Sequence, residues 1–201
     1  MKKIILFLHG YGSNGSDLIT LKDYINHDPD KTEFISPNAP EPCEFNYFGY
    51  QWFPLRDRTP LEIESGLKTG FGYLNSIIEK ICIDYSVQSS DISLVGFSQG
   101  SMLSTYYGLT SGRDFYNIIS LSGSLPKIIL DKLEIKNTST TFEIFHGKQD
   151  DVVDYHQAIE TNEFLQGLNF KSKLVLDENC SHSISPLALN MINQSYLSWV
   201  L

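Results

Sequence analysis

An α/β domain, with a mostly parallel sheet covered by helices on both faces, is predicted over residues 1–201 by three observations. Short apolar runs alternate with longer segments of helical spacing, as they do when each parallel strand is followed by a crossover helix. A length of 201 residues, 41% of them hydrophobic and 19% charged, supplies one substantial core and excludes a disordered chain or a disulfide-stapled miniprotein. The chain has no internal repeat, low-complexity tract or linker-like stretch, so a single domain is expected.

The first apolar run, Lys3 to His9, reads as a buried strand. Met1-Lys2-Lys3 before it suggests a signal peptide, but the apolar stretch is short and runs into His9-Gly10 without a small-residue cleavage site. Ser16 to Asn26 has helical spacing, and Glu33 to Ser36 reads as the second strand. Residues 37–60 break the alternation: they are rich in Pro and gather Phe45, Tyr47, Phe48, Tyr50, Trp52 and Phe53. A loop that long in a compact domain is usually functional. Trp52, Phe53 and Leu55, with Val153, are therefore expected to line an apolar substrate groove, with ordinary loop packing as the alternative. The same aromatic loop could serve self-association as a homodimer.

Glu62 to Tyr85 is the clearest helix, with Ile63, Leu67, Leu74, Ile77, Ile78 and Ile81 on one face. Its Gly66, Gly70 and Gly72 lower the intrinsic propensity, so tertiary packing must hold it. Strands follow at Ile92 to Gly96, Asn117 to Ser122, Thr141 to His146 and Lys171 to Leu176. Helices are expected at Gln99 to Ser111, Tyr155 to Leu168 and Ser185 to Trp199, with an irregular excursion from Leu125 to Thr140.

Charge removes some function classes. Lys plus Arg is 15 against 24 Asp plus Glu, and the net charge of −9 repels phosphate backbones and anionic lipid surfaces, so nucleic acid is not an expected partner. No run approaches the roughly 20 apolar residues that span a bilayer, and integral membrane association is not expected either. Cys43, Cys82 and Cys180 are odd in number and widely spaced, which reads as a reducing, cytoplasmic compartment and offers no metal-ligand spacing.

The chemistry is carried by Gly96-Phe97-Ser98-Gln99-Gly100, a GxSxG sequence between a predicted strand and a predicted helix. That turn strains the central residue and projects its side chain from the sheet edge, and glycines on both flanks allow close backbone approach. A serine hydroxyl needs a base within hydrogen-bond reach and a carboxylate to fix the tautomer of that base. With the order serine, acid, histidine, His9 and His27 come too early, His146 precedes any usable acid and His156 begins a helix. His182, just past the last strand, remains. Asp150 and Asp151 both follow the strand ending at His146; Asp150 is preferred because Asp151 is placed to cap the coming helix, with Asp154 a third candidate. Backbone N–H groups of Tyr11 and Gln99 are the expected oxyanion donors. Gly10-x-Gly12-x-x-Gly15 also fits a dinucleotide fingerprint, but Ser36-Pro37 stands where the ribose-binding acid belongs.

Taken together, Leu8-His9-Gly10-Tyr11-Gly12-Ser13-Asn14-Gly15, Pro37-Asn38-Ala39-Pro40, Gln51-Trp52-Phe53, the GxSxG, His146-Gly147-x-x-Asp150-x-Val152-Val153 and Ser181-His182-Ser183 resemble the carboxylesterase/phospholipase family of α/β-hydrolases, which includes acyl-protein thioesterases. The resemblance spans nearly the whole chain. It implies an α/β-hydrolase fold and a cofactor-free serine esterase or thioesterase acting on small or acyl-chain esters. It also implies Ser98 as nucleophile, His182 as base, Asp150 as orienting acid, and Tyr11 and Gln99 as oxyanion donors. A hydrolase fold kept as a binding module is the alternative from another class. The chain departs from the family pattern at Asn179-Cys180-Ser181, at Asp151, and across Leu55-Arg56-Asp57-Arg58, which leaves acyl specificity open.

Overall fold

A computed structural model describes residues 2–136 and 139–200. Met1 of the signal-peptide reading, Asn137 and Thr138 of the predicted excursion, and Leu201 lie outside the described residues. Six parallel strands form the central sheet: β1 (Lys3–Leu8), β2 (Thr32–Ile35), β5 (Ile92–Phe97), β6 (Asn117–Leu121), β7 (Thr141–Gly147) and β8 (Ser172–Asp177), in the order β2-β1-β5-β6-β7-β8. Between β2 and β5, the short strands β3 (Glu41–Pro42) and β4 (Tyr50–Gln51) pair antiparallel.

The strand period of two sorts side chains into two cores. Ile4, Leu6, Leu8, Leu94 and Ile118 enter one, with α2 (Pro60–Tyr85), α3 (Gln99–Thr110) and α5 (His156–Gly167) on that face. Ile5, Phe7, Val95, Ile119 and Leu121 enter the other, covered by α6 (Pro186–Val200) and by the segment after β1. That segment is predicted as one helix over Ser16 to Asn26; it is a four-residue α1 (Gly15–Leu18), capped by Asn14, running into a tighter 3-10 turn at Ile19–Tyr24. The short α4 (Lys127–Leu130) interrupts the predicted excursion.

The long helix α2 begins two residues earlier than the periodicity suggests. Thr59 caps it, its Oγ1 accepting the Glu62 amide at 3.2 Å, and Pro60 occupies the first turn, where its missing N–H costs nothing. Gly66 has a packing reason: a Cβ there would collide with the Phe53 ring. The helix therefore trades propensity for a close seat on the loop before it. Among the described residues, no helix is long and apolar enough to cross a membrane.

Candidate active site

The chain leaves β1 for β2 on one side and crosses to β5 on the other, so the sheet order reverses between β1 and β5. Such a switch point opens a crevice at the carboxyl ends of the strands. The loop after β1 carries Tyr11 and the turn after β5 carries Ser98. Ser98 has φ 51° and ψ −113°, sparsely populated for any residue with a Cβ. The flanking glycines make this turn possible, because a Cβ on Gly100 would strike the Leu8 carbonyl and one on Gly96 the Gly100 carbonyl. The Ser98 amide donates to Leu121 O at 2.9 Å, and Ser98 O accepts from Met102 N at 3.1 Å, which fixes the turn against β6 and α3.

His182 comes from the loop after β8. Its Nε2 lies 3.0 Å from Ser98 Oγ and its Nδ1 lies 2.8 Å from Asp150 Oδ2. The Asp150 side chain is fully buried, and its Oδ1 accepts from the amides of Val152 at 2.9 Å and Val153 at 2.8 Å. Burial pushes the Asp150 carboxyl up, but the Val153 amide, His182 and the Val152 amide together outweigh burial and hold it below the usual carboxylate range. An ionised carboxylate only accepts, so Nδ1 of His182 carries the proton and Nε2 is left to accept from the Ser98 hydroxyl.

Of the other acids weighed from the sequence, Asp151 is exposed, and Asp154 contacts His156 at 2.8 Å. The sequence set His146 aside as a base; it lies against the acid. Its Nε2 is 3.0 Å from Asp150 Oδ2 and 3.0 Å from Val153 O, so this nitrogen faces two acceptors and carries the proton. Burial lowers the His146 pKa and keeps the ring neutral. Only its position four residues before Asp150 hinted at this contact.

The loops bearing acid and base are stitched together. Lys148 N donates to Asp177 O at 2.8 Å and Gln149 N to Cys180 O at 3.0 Å, while Ser122 Oγ donates to Ser183 O at 3.1 Å. His182 is thus held from both sides in the sequence context, Asn179-Cys180-Ser181, that departs from the family pattern.

A cleft of about 330 Å³ opens over Ser98 and His182. Tyr11 and Gln99 border it, as do Leu55 and Val153. Trp52 and Phe53 do not, which corrects the expectation that they line the groove. Both are fully buried in the core beneath it. The reason lies in their hydrogen bonds and packing: Trp52 Nε1 donates to His9 O at 2.9 Å, Phe53 packs on Gly66, and the Gln99 side chain clamps both backbones. Gln99 Oε1 accepts from Trp52 N at 2.9 Å and its Nε2 donates to Phe53 O at 2.7 Å. These residues therefore support the cleft floor through Gln99. A second groove, of about 370 Å³, lies by Lys68, Tyr106 and Lys132 and contains none of the predicted site residues.

The glycine-rich loop after β1 is also committed. Gly12 N donates to Tyr50 O at 2.9 Å, Gly12 O accepts from Asn46 Nδ2 at 2.7 Å, and Tyr50 N donates to Ser13 O at 2.7 Å. These bonds tie it to the β3–β4 segment, where a dinucleotide site would aim amides at a pyrophosphate. Among the described residues, no three His, Cys, Asp or Glu side chains gather as a metal site.

A parallel sheet with this strand order, and a strained serine turn at its switch point, define an α/β-hydrolase. The chain belongs to the phospholipase/carboxylesterase family, whose model matches residues 1–200. It is 32% identical over 181 residues to acyl-protein thioesterase 1 of Kluyveromyces lactis, covering 82% of this chain and 77% of that one. It is 31% identical over 181 residues to acyl-protein thioesterase 1 of Saccharomyces cerevisiae, covering 82% and 78%. The crystal structure of esterase PE8 superimposes with a TM-score of 0.91 at 32% identity, over 100% of this chain and 93% of that one. The SOBER1 structure of Arabidopsis thaliana, at 20% identity and a TM-score of 0.84 over the full length of both chains, shares the fold. The protein is accordingly a hydrolase of carboxylic esters or thioesters.

Proposed function

We propose that the protein is a serine hydrolase acting through Ser98, His182 and Asp150, on one domain spanning residues 1–201 and without a cofactor. The observation that carries this reading is the unbroken chain Ser98 Oγ to His182 Nε2 at 3.0 Å and His182 Nδ1 to Asp150 Oδ2 at 2.8 Å, at the floor of an apolar cleft. His182 takes the Ser98 proton as Oγ attacks the carbonyl carbon of an ester or thioester. The backbone amides of Tyr11 and Gln99 receive the oxyanion, and Asp150 stays ionised beside the imidazolium. Collapse breaks the C–O or C–S bond, His182 protonates the departing alcohol or thiol, and water repeats the sequence on the acyl-enzyme. Leu55 and Val153 serve as acyl-contacting walls.

The thioesterase names of the yeast relatives favour acyl thioesters among the substrates. Cys43, Cys82 and Cys180, unpaired with one another and odd in number, support a cytoplasmic setting. Exposed Phe45, Tyr47 and Phe48 give a second copy an apolar surface to pair with, and sedimentation of a Phe48→Ser variant checks that homodimer.

The test is the intact mass after treatment with a fluorophosphonate. A single adduct on the wild type, absent from Ser98→Ala, is expected. A well-folded wild type that forms no adduct and hydrolyses no ester would instead make the fold a binding module.

A further inference from the structure

The sequence holds three arginines, and their partners differ. Arg56 pairs with Glu44 at 3.2 Å and Arg113 with Glu79 at 3.0 Å. Arg58 has no ion pair or side-chain hydrogen bond among the described residues, and it lines the cleft above Ser98. No Asp or Glu lines that cleft, in a chain of net charge −9. Leu55, Ile63, Pro126 and Val152 line the same cleft and add no countercharge.

The backbone beneath Arg58 is built rather than loose. One carboxylate, that of Glu62, accepts three successive amides, from Arg56 at 3.0 Å, Asp57 at 3.0 Å and Arg58 at 2.7 Å. The Glu62 oxygens are thus engaged by the main chain, and Glu62 forms no ion pair with the Arg58 guanidinium. The same bonds hold Arg58 at φ 52°, a left-handed conformation that a residue with a Cβ adopts at a cost. The backbone of Arg58 is fixed, and its guanidinium, unpaired among the described residues, lines an apolar cleft where a planar cation can receive an anion.

We infer that Arg58 is a specificity-determining residue that binds an anionic group, carboxylate or phosphate, of the ester or thioester held over Ser98. The inference rests on the serine-hydrolase reading above. The anion could sit on the acyl chain, as in the monoester of a dicarboxylic acid, or on the leaving group, as in the thioester of a phosphorylated thiol. The shared chemistry is a planar or tetrahedral oxyanion within reach of a guanidinium, and two substrate pairs separate the sources.

The first pair is p-nitrophenyl hydrogen glutarate and p-nitrophenyl pentanoate, which match in acyl length and differ in a terminal carboxylate. The second is the pentanoyl thioester of phosphopantetheine and that of pantetheine. In one pair the wild type is expected to favour the anionic member by about tenfold or more in kcat/KM, the scale of a hydrogen bond to a charged group. The preference should shrink with added salt, since Arg58 is exposed and screened. Arg58→Gln should bring the ratio close to unity, Arg58→Glu should invert it, and Arg58→Lys should restore part of it. A wild type that shows no anionic preference in either pair overturns the inference, as does a preference that survives in Arg58→Gln. Neutral-ester turnover with a fluorophosphonate adduct, but without anionic preference, sinks Arg58 alone. Absence of both turnover and adduct sinks the Ser98 reading, and the role of Arg58 with it.

Discussion

Two regions border the cleft and are built on different rules. In the loops after β7 and β8, direction is set atom by atom: both Asp150 oxygens accept, each His182 nitrogen faces one partner, and main-chain bonds join the loops. In residues 37–60 the aromatic side chains divide by burial. Trp52 and Phe53 are 0% exposed, whereas Phe45 is 70%, Tyr47 91% and Phe48 92% exposed. Hydrogen-bonding groups demand partners at fixed geometry, so their spacing in sequence carries positional information. An aromatic ring is satisfied by any apolar surface and by partial exposure, so its presence in a loop says little about which way it points.

The sharpest test of the first region removes its end group. Ser98→Ala should lower kcat by about 10⁴-fold or more, measured on a neutral ester with the fold verified by circular dichroism. A variant within tenfold of wild type would place the nucleophile elsewhere. Asp150→Asn should cost about 10³- to 10⁴-fold in kcat, because an amide no longer holds His182 in the required tautomer. Asp151→Asn, one residue away and exposed, should stay within about twofold of wild type. If the two aspartate variants behave alike, atom-by-atom placement of the acid is wrong.

The second region breaks by stability instead. Phe53→Ala or Trp52→Ala should destabilise the fold by about 3–5 kcal/mol, the range for deleting a buried aromatic ring. Phe48→Ala should shift it by no more than about 0.5 kcal/mol. Urea midpoints of the three variants decide this. Equal loss at Phe48 and Phe53 would erase the division between buried and exposed aromatics. Because the Gln99 side chain is fastened to Trp52 N and Phe53 O, the core variants should also impair turnover, with KM less affected than kcat.

This contrast explains what the sequence made legible. All six sheet strands are visible as apolar runs; β1, β5 and β6 are the clearest, because a parallel strand buried on both faces has no polar face to blur it, whereas the edge strands β2 and β8 are only partly buried. Ser98 and His182 follow from a glycine-flanked turn and from chain order. Asp150 could not be separated from Asp151 by spacing alone, since the difference lies in which carboxylate turns toward buried amides. The role of Gln99 in clamping Trp52 and Phe53, and the contact of His146 with Asp150, join residues distant in sequence or loop geometry, and no local periodicity encodes them. Arg58 was visible only as a residue outside the family pattern; its left-handed backbone depends on a carboxylate four residues later.

The smallest expected effect separates the buried histidines from the cleft. His9 is fully buried; its Nδ1 lies 2.8 Å from Gly10 O, and its Nε2 accepts the Ala39 amide at 2.9 Å. A proton on Nε2 would point at an N–H, and burial lowers the pKa of His9 from 6.5; burial does the same to His146. Below 6.5 the unfolded chain therefore binds more protons at these residues than the folded one, and stability must fall as pH falls. Asp150, also held below its usual value, adds its loss only at still lower pH, in the carboxylate range. Urea midpoints at about pH 8 and about pH 5.5 should thus differ, with the lower value at acid pH, before any carboxylate takes part. In His9→Gln that difference should narrow, because glutamine does not titrate, and the remainder belongs to His146. An unchanged difference in this variant would mean that the histidine under the cleft floor already exchanges protons freely, and that the floor is more open than its hydrogen bonds require.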